Sequence, residues 1–369
     1  MVFCHKEKLI FAVDQIIMGG VEKVAKTLLP MLTKKYDVTV LVHQKITDEY
    51  FLTFFKQNNI TVLNPFSDKP KTFWKRKIWK MITRRIEKYK LKRLLKSADI
   101  FLDYKNFYWA DYIKNIHAKK IVVFHGSFVL FQKWQCIKKL PTYDRFVCLT
   151  DNFKNDFINN YPEHKNKIEH IYNPLDTNEI CQNAQDRSLV PNEKYFVAVQ
   201  RLDKIEKDVV TIIRAFDIFC KNHPDVYLYI VGNGPDKESL QTTAKNNPNI
   251  IFTGQVNNPY SLIQNAQALI LSSIKDWGEG LPTVPLEAQA LGTLAISSNV
   301  PSGPSEILMN GKAGILFEPH NEKELANVMT NVITNKITKN DLINCATKNL
   351  NRFDTSVILE KFLSIMQIN

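Results

Sequence analysis

Cysteine is sparse and unpaired in this sequence. Cys4, Cys136, Cys148, Cys181, Cys220 and Cys345 form no Cys-x-x-Cys pair, which speaks against a zinc ribbon, a redox dithiol and a disulfide framework. No two aspartates stand two residues apart, so no Asp-x-Asp metal signature is present and no metal is expected. Glycine contributes only 12 residues, and neither Gly-x-Gly-x-x-Gly nor a Walker sequence occurs, which disfavours a dinucleotide or triphosphate site. No apolar run approaches the roughly 18 residues that a membrane-crossing helix requires. The opening residues, Met1 to Lys8, lack a long apolar segment followed by a small-residue cleavage site, so cytoplasm is the expected compartment. What is present is a chain of 369 residues, 44% hydrophobic, 11% aromatic and 23% charged. That composition excludes a disordered chain, and that length suits two domains, each able to bury its own core.

The formal charge of +12 has an address. Between Lys69 and Lys96 stand 13 basic residues, among them Lys75, Arg76, Lys77, Lys80, Arg84 and Arg85, against the single acid Glu87. The rest of the chain is formally neutral. Trp74, Ile78, Ile82, Ile86 and Tyr89 recur at helical spacing inside this stretch, with Trp79 beside them, so a basic amphipathic helix is expected. Its aromatic residues suit the headgroup level of an anionic membrane, where each cation is worth about 1 kcal/mol. A helix that packs its stripe on its own domain, with charges in solvent, is the plainer alternative. A polyanion such as RNA is a third, but no nucleic-acid module accompanies the charge and nucleic acid is not expected.

Short apolar runs bounded by turn residues recur at 9–13, 38–42, 99–104, 120–124, 145–149 and 168–172, and read as buried strands. Helical patterns at 21–32 and 152–160 alternate with them, as in a doubly wound parallel sheet. A polar stretch over 176–187 is the expected linker. A second alternating set follows, with strands at 195–199, 226–231, 250–253, 268–272 and 294–297. Its helices are expected at 208–220, 236–244, 284–291 and 322–333, the last opened by a capping box of Asn321 and Glu324. Such sheets bind ligands beyond the carboxyl ends of their strands, so two of them place the site in a cleft.

Three sets of residues suit an anionic ligand there. Gly19 and Gly20 lie between the first strand and the first helix, where bare backbone can approach a phosphate. Arg201 and Lys207 follow the first strand of the second half, one a fork and one a point charge for a diphosphate, although a solvated pair has the same spacing. Glu279 and Glu287 bracket Gly280-Leu281-Pro282-Thr283-Val284-Pro285-Leu286, with Thr283 and Val284 opening a helix whose free amides can hold an anion.

At this point the sequence resembles glycosyltransferase family 4, the retaining nucleotide-sugar transferases of the GT-B fold, an α/β architecture of two facing Rossmann-like domains. The resemblance rests on Gly19-Gly20-Val21-Glu22, Tyr172-Asn173-Pro174, Arg201-Leu202 with Lys207-Asp208, Gly232-Asn233-Gly234-Pro235, the run from Glu279 to Ala288, and Pro301-Ser302-Gly303-Pro304-Ser305-Glu306-Ile307-Leu308. The last two look most like the members that assemble bacterial surface polysaccharide, lipopolysaccharide and lipid-linked glycans. It implies an amino-terminal acceptor-side domain over 1–173, a nucleotide-sugar domain over 174–351, and a terminal helix over 352–368 packed back on the first. It further implies that Arg201 and Lys207 neutralise the donor diphosphate and that Gly19 and Gly20 let the first domain close on it. Glu279 would contact donor-sugar hydroxyls, with Gly280 and Leu281 beside it; amides at Thr283 and Val284 would bind phosphate, Glu287 the ribose, and backbone near Val256 the base. His125 matches a histidine near the transferred sugar. Two departures stand out: Gln200 where a glycine usually precedes the arginine, and Asp208 where one often follows the lysine.

The implied reaction transfers a hexose or N-acetylhexosamine from a nucleoside diphosphate sugar, UDP favoured, to a glycan or lipid-linked acceptor at the inner face of the membrane, without metal or cofactor. The alternatives are an epimerase or hydrolase of the same fold, or a non-catalytic membrane-binding or polyanion-binding protein with a degenerate site.

Overall fold

The computed structural model describes residues 6–14, 20–43, 46, 49–64, 89 and 91–367. Among them are two parallel sheets. The first holds β1 (Lys8–Val13), β2 (Asp37–Val42), β3 (Thr61–Leu63), β4 (Ile100–Asp103), β5 (Lys119–Phe124), β6 (Arg145–Cys148) and β7 (Ile168–His170), in the order β3-β2-β1-β4-β5-β6-β7. The second holds β8 (Lys194–Val199), β9 (Val226–Val231), β10 (Ile250–Gly254), β11 (Leu269–Leu271), β12 (Ala295–Ser298) and β13 (Ile315–Phe317), in the order β10-β9-β8-β11-β12-β13. Both orders reverse beside the first strand of the sheet, which is the Rossmann-like switch point, and the pair is the GT-B architecture.

Strand alternation sends side chains into a core on each face. Leu9, Phe11 and Val13 of β1 face one apolar cluster, while Ile10 and Ala12 face another. The second cluster is dominated by rings, among them Phe107, Trp109, Phe124, Phe131, Phe146, Phe153 and Phe157. Because both faces are covered, the strands read as continuous apolar runs, which is why most were legible. The exceptions are β3 and β13, three-residue edge strands too short to carry a period.

Three further expectations are corrected or bounded. The polar stretch at 176–187 contains a helix, Thr177–Asn183, whose Asp176 cap accepts from the Glu179 amide at 2.9 Å and whose Ile180 and Ala184 are buried. The capping box at Asn321 is half formed: its side chain accepts from the Glu324 amide at 3.1 Å, but the Glu324 carboxylate takes the Asn321 side chain and the Glu318 amide instead of the Asn321 amide. Of the basic stretch, residues 65–88 and 90 lie outside the described residues, including Trp74, Lys75, Arg76, Lys77, Trp79, Lys80, Arg84 and Arg85. At its described end Leu91 and Leu95 are buried in the first domain's core while Lys92, Arg93 and Lys96 face solvent.

Two chain crossings join the domains side by side, Leu175 donating its amide to the Phe353 carbonyl at 2.9 Å. The terminal helix Thr355–Met366 then returns to the first domain, burying Ile358, Phe362 and Met366 in the cluster that holds Leu28 and Leu29 of the helix Gly20–Leu32. A second tie comes from Glu306 of the second domain. Its carboxylate accepts from the Asp151 and Asn152 amides at 2.9 and 3.2 Å, supplying orphan donors at the start of the helix Asp151–Asn160 with a partner. Tyr172 donates to the same carboxylate at 2.5 Å and receives an Arg352 hydrogen bond at 3.1 Å. Phe362 anchors the terminal helix, so Phe362→Ala is expected to cost about 3–5 kcal/mol in urea unfolding; a loss below about 1 kcal/mol would show that the helix does not hold the first domain.

Candidate functional site

The carboxyl ends of both sheets meet around one cavity of about 750 Å³. From the first domain come Lys23, Lys105, Asn106, His125, Gly126 and Trp134. The second contributes Gln200 and Arg201 after β8, Gly232 and Asn233 after β9, Gln255 and Val256 after β10, and then Lys207, Trp277 to Gly280, Thr283 and Val284.

Here Lys207 and Glu279 form a direct ion pair, and Ser273 donates to the same carboxylate oxygen. Arg201 stands out into the cleft, its side chain 61% exposed, with Asp203 at 3.5 Å. The helix Thr283–Ala290 opens without a side-chain cap, so its first amides face the cavity unclaimed by a neighbouring side chain. Glu279 is braced from behind: its amide donates to the Pro301 carbonyl at 3.2 Å, and it forms a bridge with Ser302, which is held at φ 82°. A non-glycine residue in that region is strained backbone, and here it supports the carboxylate's loop.

Glu287 is almost fully buried, one oxygen 3.2 Å from the Lys23 ammonium across the domain boundary and the other, Oε2, without a partner. Burial alone would lower the Lys23 pKa, but Glu287 and Tyr260 outweigh it and hold it above the ordinary lysine value. This pair lines a neighbouring hollow of about 480 Å³ that shares Lys23, Gln255, Asn257 and Thr283 with the main cavity.

His125 lines the opposite lip. Its amide donates to the Asn106 side chain at 2.6 Å, and its ring packs edge-on against Tyr104 with centroids 4.6 Å apart. Neither ring nitrogen has a partner in good hydrogen-bond geometry. Burial, with the Lys105 charge, pushes the ring down to about 3, so the imidazole is neutral and serves as donor and acceptor rather than as a cation. The loop carrying Lys105 and Asn106 is set by Asp103 at the end of β4. This fully buried carboxyl accepts from the Lys105 and Trp109 amides at 3.0 Å and from the Tyr143 hydroxyl, and burial raises its pKa to about 6.

Thus the structure brings Arg201, Lys207, Glu279, Gly280, His125, Val256, Thr283 and Val284 to one cavity, with Glu287 at its edge. Gly20 opens the first helix, and Gly19 lies outside the described residues. The side chain of Leu281 is buried in the core, where Leu286 and Ile307 also lie, so its backbone is the part open to a ligand. Gln200 turns its carboxamide towards β11, accepting from the Ser272 amide at 3.4 Å, and its Nε2 is buried without a partner. Lys23, Lys105, Asn106 and Trp134 escaped the sequence reading. Lys23 alone carried a signal, one helical turn from Gly19-Gly20.

Among the described residues one trio brings metal-ligand atoms within 4.8 Å of one another: Asp151, His170 and Glu306. Much of it is already engaged in the interdomain tie, His170 Nδ1 lying 2.7 Å from Asp151 and both Glu306 oxygens accepting amides, while His170 Nε2 is buried without a partner. No described helix is long and apolar enough to cross a membrane.

The lips touch where backbone meets backbone. A Cβ built on Gly280 would lie 1.9 Å from the His125 carbonyl oxygen, and one on Gly278, at φ +66°, would lie 2.8 Å from Ser127 Cβ. Ser127 also donates to the Trp277 carbonyl at 2.6 Å. Relieving the overlap from Gly280→Ala requires the lips to separate, a strain of about 1–3 kcal/mol. A lower unfolding midpoint and a larger radius of gyration in small-angle X-ray scattering are expected; identical scattering and midpoint would mean the contact does not hold the cleft.

Comparison with known proteins agrees with this geometry. Residues 18–179 match the model for Glycosyltransferase Family 4, and residues 182–349 that for Glycosyl transferases group 1. A Campylobacter jejuni GalNAc-alpha-(1->4)-GalNAc-alpha-(1->3)-diNAcBac-PP-undecaprenol alpha-1,4-N-acetyl-D-galactosaminyltransferase is 23% identical over 371 residues, covering 97% of this chain and 98% of its own. A second C. jejuni enzyme, N-acetylgalactosamine-N,N'-diacetylbacillosaminyl-diphospho-undecaprenol 4-alpha-N-acetylgalactosaminyltransferase, is 24% identical over 345 residues, 86% of this chain and 88% of its own. Among solved structures, Anabaena HepE with UDP and glucose superposes with a TM-score of 0.78 at 16% identity, over 97% of this chain and 98% of its own. Two halves matched in order, on two Rossmann-like sheets around one cavity, place this chain in the family of glycosyltransferases whose halves are the Glycosyltransferase Family 4 and Glycosyl transferases group 1 domains.

Proposed function

We propose that this glycosyltransferase moves a hexose or N-acetylhexosamine from a nucleoside diphosphate sugar, UDP favoured, to a hydroxyl of a lipid-linked or membrane-associated glycan, with retention of anomeric configuration. The observation that carries this is the set of anion-binding groups on one wall of the cavity, Arg201, Lys207 and the open helix start at Thr283 and Val284, facing neutral His125 on the other. The diphosphate is the leaving group, and these cations and amides stabilise its departing charge, so the reaction needs no metal. Glu279 holds donor-sugar hydroxyls from a fixed position. Glu287 keeps Oε1 on Lys23 and offers its unpartnered Oε2 to a ribose hydroxyl.

Glu279, the acid beside the cations, is tied to Lys207 and Ser273 rather than free as a nucleophile. A front-face route, with the departing phosphate helping to deprotonate the acceptor hydroxyl, follows from that arrangement. His125, uncharged and with neither ring nitrogen in a hydrogen bond of good geometry, orients a hydroxyl of the transferred sugar. Contact between the lips at Gly280 and His125 excludes water from the activated sugar.

UDP and UDP-glucose in HepE support the donor, and the undecaprenol-linked substrates named for the two C. jejuni enzymes support the acceptor. The basic stretch from Lys69 to Lys96 gives such an enzyme a means of meeting the anionic inner face of the membrane.

A thermal-shift series against UDP, GDP, ADP and CDP tests the donor site, since a ligand of the native state raises the midpoint. UDP is expected to raise it, Arg201→Ala with Lys207→Ala to abolish the rise, and Glu279→Ala to keep it while transfer falls at least 100-fold, about 2.7 kcal/mol in the barrier. No shift with any diphosphate, or full transfer by Glu279→Ala, would overturn the reading.

A further inference from the structure

Beside its anion-binding groups, the cavity has lining of a different chemistry. It includes Lys105, Asn106, His125 and two tryptophans, Trp134 of the first domain and Trp277 of the second. Trp134 ends the helix Phe128–Lys133, which starts just beyond the His125 lip, so it stands on the same face as that histidine. Phe124 and Trp277 both meet it edge-on, at centroid distances of 6.0 and 6.3 Å, which fixes the plane of its indole. The Trp277 ring is already covered, with the Lys133 ammonium 5.2 Å from its centroid and its side chain packed on the first domain's ring cluster. Trp134 is not covered: it remains 43% exposed, a large apolar surface held rigid inside a polar cavity.

We infer that Trp134 is the stacking floor for a pyranose ring of the acceptor, a reading that rests on the proposed glycosyl transfer. A pyranose presents one face of polarised C–H groups and a rim of hydroxyls. The negative π face of an aromatic ring attracts the first, and convergent polar groups satisfy the second. Lys105 and Asn106, which line the same cavity as Trp134, supply that rim, and His125 and Glu279 line it too, where an acceptor hydroxyl must meet the transferred sugar. A lipid chain would leave those polar groups without partners, which makes it the poorer occupant. The floor is assigned to the acceptor rather than the donor because Trp134, Lys105, Asn106 and His125 come from the first domain, whereas Arg201, Lys207, Thr283, Val284 and Glu287 come from the second.

The test is saturation-transfer NMR on the full chain in the presence of UDP, with methyl α-glucoside, methyl α-galactoside and methyl α-N-acetylgalactosaminide as probes. At least one glycoside is expected to be saturated most strongly at the ring protons of a single face. Binding is expected to fall at least tenfold in Trp134→Ala and to be largely kept in Trp134→Phe, with the UDP thermal shift the same in all three proteins. Equal glycoside binding by Trp134→Ala, or no binding of any glycoside by the unaltered protein, would overturn the platform. If that happens while the UDP shift persists, the donor reading stands without it; if UDP gives no shift but glycosides bind through Trp134, the donor reading fails and the platform survives.

Discussion

The contact on which the site depends is between two backbones. Gly280 of one domain lies so close to the His125 carbonyl of the other that a single methyl would not fit. Because glycine brings no side chain, the lips close until His125 and Glu279 line the same cavity. That approach brings into one cavity a neutral imidazole from the first domain and, from the second, a Lys207–Glu279 pair and an uncapped helix start. The electrostatics are arranged before any ligand arrives, which is what stabilising a departing diphosphate requires.

Around that contact the domains are held at other points by groups of different character. The tie at Glu306 satisfies helix-start amides across the boundary, and the paired crossings near Leu175 and Phe353 run beside it. Lys23 and Glu287 form a corresponding charged tie across the boundary. A charged pair of this kind exchanges partners more readily than a packed core does. The terminal helix, buried through Phe362 and Met366, packs on the first domain.

Most of the architecture was legible because doubly wound sheets are buried on both faces and announce themselves as apolar runs. The strands that escaped, β3 and β13, are edges of three residues, and the polar run at 176–187 concealed a short helix that shows only Ile180 and Ala184 to the core. Of the cavity lining, the residues that fall within sequence motifs were legible: Arg201, Lys207 and Glu279, with Glu287 lining the neighbouring hollow. Those placed by tertiary folding were not. Trp134 reads as one more aromatic in a ring-rich domain, and Lys105 and Asn106 owe their position to the buried Asp103 carboxyl four strands into the first sheet. Leu281 is a motif residue whose side chain serves the core.

The most direct test of the account is a crystal structure of the protein with a bound UDP-sugar. It is predicted to show the diphosphate on Arg201, Lys207 and the amides of Thr283 and Val284, the ribose at Glu287, and the sugar between Glu279 and His125. A nucleotide bound elsewhere, or a diphosphate held by a metal ion with Arg201 and Lys207 turned away, would contradict it.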